Sequence, residues 1–190
     1  MSKNNVCGVI LASGLSKRMG QNKLLLPLND MTIFEHTLKA CTKSDLSDII
    51  VVTSYEEIAD ICVKNNVKFV KNEQSHLGQS ESIKLGTKYF FDKPSLMFIS
   101  GDTPFLDVEM VNSLISNFKT DILVPYFGDT PQNPVVFPKY TYNDLLKLEG
   151  DTGGKKVIKM HKFDKLVIKC VNKDIDTFEE YKLAKEEFND

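Results

Sequence analysis

The residue types best suited to chemistry cluster in one early stretch, Leu11-Ala12-Ser13-Gly14-Leu15-Ser16-Lys17-Arg18-Met19-Gly20-Gln21-Asn22-Lys23. Gly14 and Gly20 let a backbone approach an anion closely, while Arg18 and Lys23 bring a forked and a compact cation to phosphate oxygens. The spacing is neither the Gly-Lys-Ser/Thr of a Walker loop nor the G-x-G-x-x-G of a dinucleotide fold. Glycines also punctuate ordinary loops and Lys or Arg is usually just solvated, so a plain loop is the competing reading. Further along, Gly101-Asp102-Thr103-Pro104 puts a carboxylate on a tight turn, where it would hold Mg²⁺ or Mn²⁺ against phosphates or merely shape the turn. A second pair, Asp174-Ile175-Asp176, precedes a helix start, where an acid also suits the positive end of the helix. Gly78-Gln79-Ser80-Glu81-Ser82 opens another helix, with polar groups able to meet the edge of a base or to act as an N-cap.

The elements that must carry these residues follow from the apolar pattern. Short runs rich in Val and Ile recur at residues 6–11, 49–53, 67–70, 96–100, 122–124, 135–137 and 166–170, and read as strands. Helical patterns lie between most of them. Thr32-Ile33-Phe34-Glu35 and Thr177-Phe178-Glu179-Glu180 both fit the capping box, with Phe34, Leu38 and Cys41 on one face of the earlier helix. On the later one the spacing groups Phe178, Tyr181 and Lys185, with Leu183 and Ala184 at the margin. Strands alternating with such helices need crossover connections, which predicts an α/β fold with a mostly parallel sheet covered on both faces. After Pro125 the alternation loosens, and residues 126–131 read as a turn between two extended stretches, a small antiparallel insertion. In such a sheet ligands bind beyond the carboxyl ends of the strands, where the glycine loop and Asp102 both fall.

Composition narrows the field. The chain has 190 residues, 42% hydrophobic and 26% charged, the size and make-up of one globular domain spanning residues 1–190. A net charge of −2 gives no overall drive toward nucleic acid or an anionic membrane. No apolar run reaches membrane length or reads as a signal peptide. Cys7, Cys41, Cys62 and Cys170 sit far apart among apolar neighbours, which predicts buried thiols in a reducing cytoplasm rather than a zinc or redox motif. His36, His76 and His161 fall in no ligand-like spacing, and the lysines from Lys155 to Lys169 read mostly as a solvated face.

The stretch L-A-S-G-x-S-x-R-M-G-x-x-K resembles the L-x-x-G-x-x-x-R-M-G-x-x-K signature of the MobA-like nucleotidyltransferases, and the resemblance runs from Val6 to about Tyr181. It implies a three-layer α/β/α Rossmann-like nucleotidyltransferase fold. It implies that Leu11, Ala12, Ser13, Gly14, Arg18, Met19, Gly20 and Lys23 bind the nucleotide, with Gly101 beside them and Asp102 on the metal. The Asp174-to-Glu180 run is similar to a D-x-D-T-P-E-D segment that helps hold the metal, which brings in Asp176, although Phe178 stands in place of the Pro. The run Gly78 to Ser82 resembles the G-Q-S-x-S of molybdopterin cytidylyltransferases rather than the Gly-Pro-Leu-Ala-Gly type of the guanylyl branch, which implies base contacts at Gln79, Ser80 and Ser82 and CTP over GTP. Asn133-Pro134-Val135-Val136-Phe137 is similar to G-[HN]-P-V-x-F, with Gln132 for Gly. Gly150 to Lys155 resembles G-D-x-G-[AG]-R, with Lys for Arg. These two segments imply acceptor contacts from Asn133, Pro134, Gly150, Asp151, Gly153 and Lys155. Arg18, Lys23 and Asp102 would then be the catalytic set, and CTP and molybdopterin the substrates, with a molybdenum hydroxylase apoenzyme as a further candidate partner. Guanylyl transfer, transfer to a sugar or alditol phosphate, and non-catalytic delivery of a nucleotide or cofactor are the alternatives.

Overall fold

A computed structural model describes residues 5–14, 19–169 and 173–188. In chain order the elements are β1 Val6–Ala12, β2 Pro27–Leu28, β3 Met31–Thr32, α1 Ile33–Thr42, β4 Ile49–Thr53, α2 Glu56–Lys64, β5 Lys68–Lys71, α3 Gln79–Tyr89 and β6 Ser95–Ser100. There follow α4 Val108–Asn117, β7 Ile122–Phe127, β8 Thr130–Pro131, β9 Val135–Pro138, α5 Tyr142–Leu145, α6 Lys155–Ile158, β10 Phe163–Val167 and α7 Phe178–Glu187. The main sheet runs β10-β7-β9-β6-β1-β4-β5, with β8 folded back on β7.

The sheet is mixed but mostly parallel, as the alternation predicts. β1 pairs in parallel with β4 and β6, β4 with β5, and β7 with β10. Strand β9 enters antiparallel between β6 and β7, and β8 closes a hairpin with β7 through Tyr126↔Pro131 and Phe127↔Thr130. β1 and β6 are apolar almost throughout because both of their faces are covered. One core packs Val51, Met97 and Ile99 under α1, α2 and α4. The other packs Val9, Val52 and Phe98 under α3 and α5. On that second face Gly86 of α3 is needed for close approach: a Cβ there would lie 2.3 Å from Cγ1 of Val9.

Both capping boxes form as the sequence predicts: Thr32 and Thr177 accept from the N–H three residues on, while Glu35 and Glu180 reach back. Phe34, Leu38 and Cys41 are buried, as are Cys7 and Cys62, and Cys170 lies outside the described residues.

Two expectations shift. The last strand is Phe163–Val167, not residues 166–170. It is an edge strand, where Asp164 and Lys165 are tolerated and Val167 is left exposed, so an unbroken apolar run misjudges its ends. The face that α7 buries is Tyr181 and Ala184, whereas Phe178 and Leu183 are exposed. The helix is rotated because it docks on the β2–β3 hairpin, where the Tyr181 hydroxyl donates to the Pro27 carbonyl at 2.6 Å beside Leu28 and Ile33.

Candidate active site

The glycine loop leaves the carboxyl end of β1 already anchored to β4. The Ser13 hydroxyl donates to the Val52 carbonyl at 3.1 Å, Thr53 to the Ala12 carbonyl at 3.0 Å, and the Tyr55 hydroxyl to the Gly14 carbonyl at 2.7 Å. Arg18, with Leu15, Ser16 and Lys17, lies outside the described residues. Gly20 takes φ +66°, a conformation glycine adopts without strain. Asn22 then caps a short 3₁₀ turn, Lys23–Leu25, by accepting from the Leu24 N–H, and this turn sends Lys23 inward.

Lys23 is the hub of the site. Its Nζ lies 2.6 Å from Oδ2 of Asp102 and 2.7 Å from Oδ1 of Asp176, and its side chain is only 11% exposed. Asp102 sits two residues past the end of β6, on a turn fixed by three bonds: Gly101 N–H to the Leu11 carbonyl at 3.0 Å, Thr103 hydroxyl to the Ser100 carbonyl at 2.9 Å, and Thr37 hydroxyl to the Gly101 carbonyl at 3.3 Å. Asp176 comes from the opposite end of the chain. It is brought in because Ile175 N–H donates to the Asp102 carbonyl at 3.1 Å, and because Glu180 accepts from the N–H groups of Asp176 and Thr177 at 2.8 Å each.

The electrostatics follow from crowding carboxylates at one spot. Burial alone would push the Lys23 ammonium down, but Asp102 and Asp176 outweigh it and hold Lys23 above its ordinary value, fully charged. Asp174 is exposed on one side, yet partial burial of its carboxyl, followed by the like charges of Asp102 and Asp176, raises it. The Glu180 carboxyl is held low by the backbone N–H groups it accepts, that of Asp176 foremost.

These groups line a cleft of about 780 Å³. Leu11, Ser13, Gly14 and Lys23 form its floor on the β1 side, Asp102 and Asp176 one wall, and Gln79, Ser82, Asp151 and Lys155 the other. Gly78 makes that second wall possible. It takes φ +112°, and a Cβ there would sit 2.3 Å from the Gly150 carbonyl carbon. Ser80 N–H donates to the Gly150 carbonyl at 3.2 Å and Gln79 N–H to Oδ1 of Asp151 at 3.3 Å, which tie the start of α3 to the loop before α6. Gly153 makes room for Gln79, whose Oε1 would be 2.5 Å from an added Cβ.

Not every residue of the expected set faces the cleft. Ala12 is buried beneath the loop, Gly101 contributes backbone, and Met19 packs toward the small core under α7. Ser80 is fully buried, and its Oγ has no hydrogen-bond partner among the described residues. Asn133 and Pro134, joined by a cis peptide bond, are not among the residues that line the cleft. The Asn133 side chain accepts from Ser100 N–H at 2.9 Å and donates to the Phe98 carbonyl at 3.2 Å, completing hydrogen bonding at the end of β6. Conversely, Ser75, His76 and Leu77, in a short turn before α3, line the cleft although spacing singled out none of them. Asn72, just past β5, donates to Ser82 Oγ at 3.0 Å and orients it. Its position beyond a strand's carboxyl end was the available signal.

Among the described residues no group of three or more His, Cys, Asp or Glu is arranged to hold a metal. Two convergent carboxylates fit a different kind of centre, one in which a hard cation takes one or two protein oxygens and completes its shell with phosphates and water, as Mg²⁺ commonly does. That an ammonium is drawn between Asp102 and Asp176 shows that this spot demands positive charge.

A cleft at the carboxyl ends of a doubly covered sheet, with a glycine loop, a buried ammonium and paired carboxylates, is the arrangement expected of an enzyme that handles nucleoside triphosphates. Comparison with known proteins makes this specific: the model of the MobA-like NTP transferase domain matches residues 8–166, and the chain belongs to that family. It is a nucleotidyltransferase. It is 28% identical to the purine catabolism protein PucB of Bacillus subtilis, over 94% of this chain and 95% of that one. It is 25% identical to the molybdenum cofactor cytidylyltransferase of Escherichia coli, over 96% of each, and 32% identical to a probable molybdenum cofactor guanylyltransferase of Natranaerobius thermophilus over 64% of this chain and 60% of that one. Among solved structures, the homologue of Mycobacterium tuberculosis Rv0371c from Mycobacterium sp. strain JC1 superposes with a TM-score of 0.84 at 25% identity, covering 97% of this chain and 96% of that one. The Rv0371c manganese complex from M. tuberculosis gives 0.81 at 23% identity, covering 96% and 98%. The family match ends before Asp174, so the convergence of Asp176 on the site is known here from the geometry alone.

Proposed function

We propose that the protein transfers CMP from CTP to the terminal phosphate of molybdopterin and releases pyrophosphate. The observation that carries the reading is the meeting of Lys23, Asp102 and Asp176 in the cleft that Ser13 and Gly14 also line. A phosphate oxygen of the acceptor attacks the α-phosphorus of CTP in line. The new P–O bond forms as the bond to the β-phosphate bridge breaks, and its electron pair leaves on pyrophosphate. No general base is needed, because a phosphomonoester with a second pKa near 6 is largely ionised at neutral pH.

The work that remains is positioning mutually repelling anions and meeting their charge, to which this chain's residues are suited. Lys23 delivers a buried positive charge to the phosphates, and N–H groups of the glycine loop add fixed dipoles. Asp102 and Asp176 would hold a divalent ion, Mg²⁺ or Mn²⁺, which when bound neutralises phosphate charge and polarises the α-phosphate. Gln79 and Ser82 face the cleft at the start of α3 and are the groups available to a base edge. Asp151 and Lys155, which line the cleft beside the start of α3, are the groups we assign to the acceptor.

Cytidylyl transfer is favoured by the polar Gln79–Ser82 pair and by the likeness to a cytidylyltransferase over 96% of both chains, whereas the likeness to a guanylyltransferase covers about two thirds of this chain. Buried, unpaired Cys7, Cys41 and Cys62 suit a reducing cytoplasm, and among the described residues no helix is long and apolar enough to cross a membrane. The test is pyrophosphate release with a panel of nucleoside triphosphates, with and without purified molybdopterin. Turnover with CTP that depends on molybdopterin is expected. Preference for GTP, or dependence on a sugar or alditol phosphate instead, would overturn the assignment.

A further inference from the structure

The arrangement of Lys23 says in what form the metal enters, an inference that rests on the nucleotidyltransferase reading of the cleft but not on cytosine or pterin. Nζ of Lys23 takes one oxygen from each carboxylate, Oδ2 of Asp102 and Oδ1 of Asp176, at 2.6 and 2.7 Å. A divalent ion bound to those oxygens at about 2.0–2.1 Å, the distance Mg²⁺ requires, would need the space this ammonium fills. The two cations also repel at such range, and with the Lys23 side chain 11% exposed there is little water between them to screen the repulsion.

The backbone of Lys23 is fixed by the Asn22 cap and by the Leu26 N–H bond to its carbonyl at 3.1 Å, but its four-carbon stem has the rotatable bonds to carry the head to other anionic partners. Ser13 and Gly14 of the phosphate loop line the same floor, so phosphates held there give the head an alternative set of anionic oxygens. We propose that Lys23 excludes a free divalent ion from Asp102 and Asp176, and that the ion is admitted only with a triphosphate, which draws the ammonium off the carboxylates as it binds. The species the cleft accepts is then the metal–triphosphate complex, and metal and nucleotide bind with positive coupling.

Titration with Mn²⁺ alone, followed by the electron paramagnetic resonance signal of the free ion, tests this on the whole chain. Wild type is expected to bind Mn²⁺ weakly by itself, and with inorganic tripolyphosphate present to retain more Mn²⁺ in equilibrium dialysis against the same Mn²⁺–tripolyphosphate mixture. Lys23→Met, which keeps the stem and removes the charge, is expected to bind Mn²⁺ alone at least about tenfold more tightly than wild type, equivalent to about 1.4 kcal/mol. Equal affinities in the two proteins would overturn the proposal. If the Met variant fails to fold, Lys23→Gln takes its place. Thermal unfolding of wild type gives a third reading: Mn²⁺ with tripolyphosphate must raise the midpoint by more than the sum of the separate shifts. Additive shifts would overturn the coupling. Because no cytidine or molybdopterin enters these measurements, a protein that fails to transfer CMP can still pass them, and the two failures are distinguishable.

Discussion

Lys23 is the residue on which the site turns, since it touches both carboxylates and faces the cleft where a triphosphate would lie. Losing one preorganised charge at a reacting phosphate costs on the order of 10²–10³ in rate, so Lys23→Ala is expected to lower kcat by that factor while the circular dichroism spectrum stays unchanged. Turnover within a few-fold of wild type would remove Lys23 from the reaction. Its titration has a defined sign: a lysine held above its ordinary 10.5 by two carboxylates stays charged up to that pH and beyond, and its stabilising contacts are lost only as pH rises through the elevated value. The pH profile of kcat/KM is therefore expected to carry no Lys23 limb at or below pH 10.5, and a limb there that disappears in the Ala variant would contradict the pairing with Asp102 and Asp176. Lys23 and Asp102 were legible in the sequence because each follows a strand within a short, chemically distinctive segment. Tyr55 was not, because it acts across the fold: it reaches back 41 positions to the Gly14 carbonyl, and nothing in its neighbours announces that.

At the scale of elements, helix starts position the chemistry. Asp176 is held by the capping box of α7, in which Thr177 accepts from Glu180 N–H while Glu180 accepts from the N–H groups of Asp176 and Thr177. Thr177→Ala is expected to cost about 1 kcal/mol in urea unfolding, the usual value of an N-cap, and to lower kcat as Asp176 loosens. A loss of stability with kcat unchanged would mean that Asp176 does not take part. At the opposite wall, Gly78→Ala combines a φ of +112° with a 2.3 Å clash against Gly150. Backbone strain of this kind costs about 1–3 kcal/mol, so the variant is expected to unfold at lower urea and to show a raised KM for the nucleotide, because α3 and the 150–155 loop separate. A stable variant with unchanged KM would show that this junction does not shape the cleft. Both capping boxes could be read directly from four-residue patterns, since capping is local. The orientation of α7 could not, because the hairpin it docks on, through Tyr181 and Pro27, lies 154 positions away.

For the whole molecule, the fold class was legible because buried parallel strands must be apolar throughout and must be joined by crossovers, and the chain shows that alternation from β1 to β6. The mixed half was only partly legible. β9 inserts antiparallel between β6 and β7, so its short run of Val and Phe gives no sign of which neighbours it will take. The result is a molecule whose two ends of sequence meet at the cleft: the glycine loop of β1 and the acidic segment before α7 close on each other through Lys23, against the turn that follows β6.

The most direct test of that convergence as a transferase site follows the α-phosphorus itself. With CTP labelled at that atom, molybdopterin and Mg²⁺, label is expected to move from CTP onto the pterin's phosphate in step with pyrophosphate release, and Asp102→Asn is expected to slow this by on the order of 10²–10³. If the label stays on CTP while the folded protein binds it tightly, or if Asp102→Asn transfers as fast as wild type, the account is contradicted.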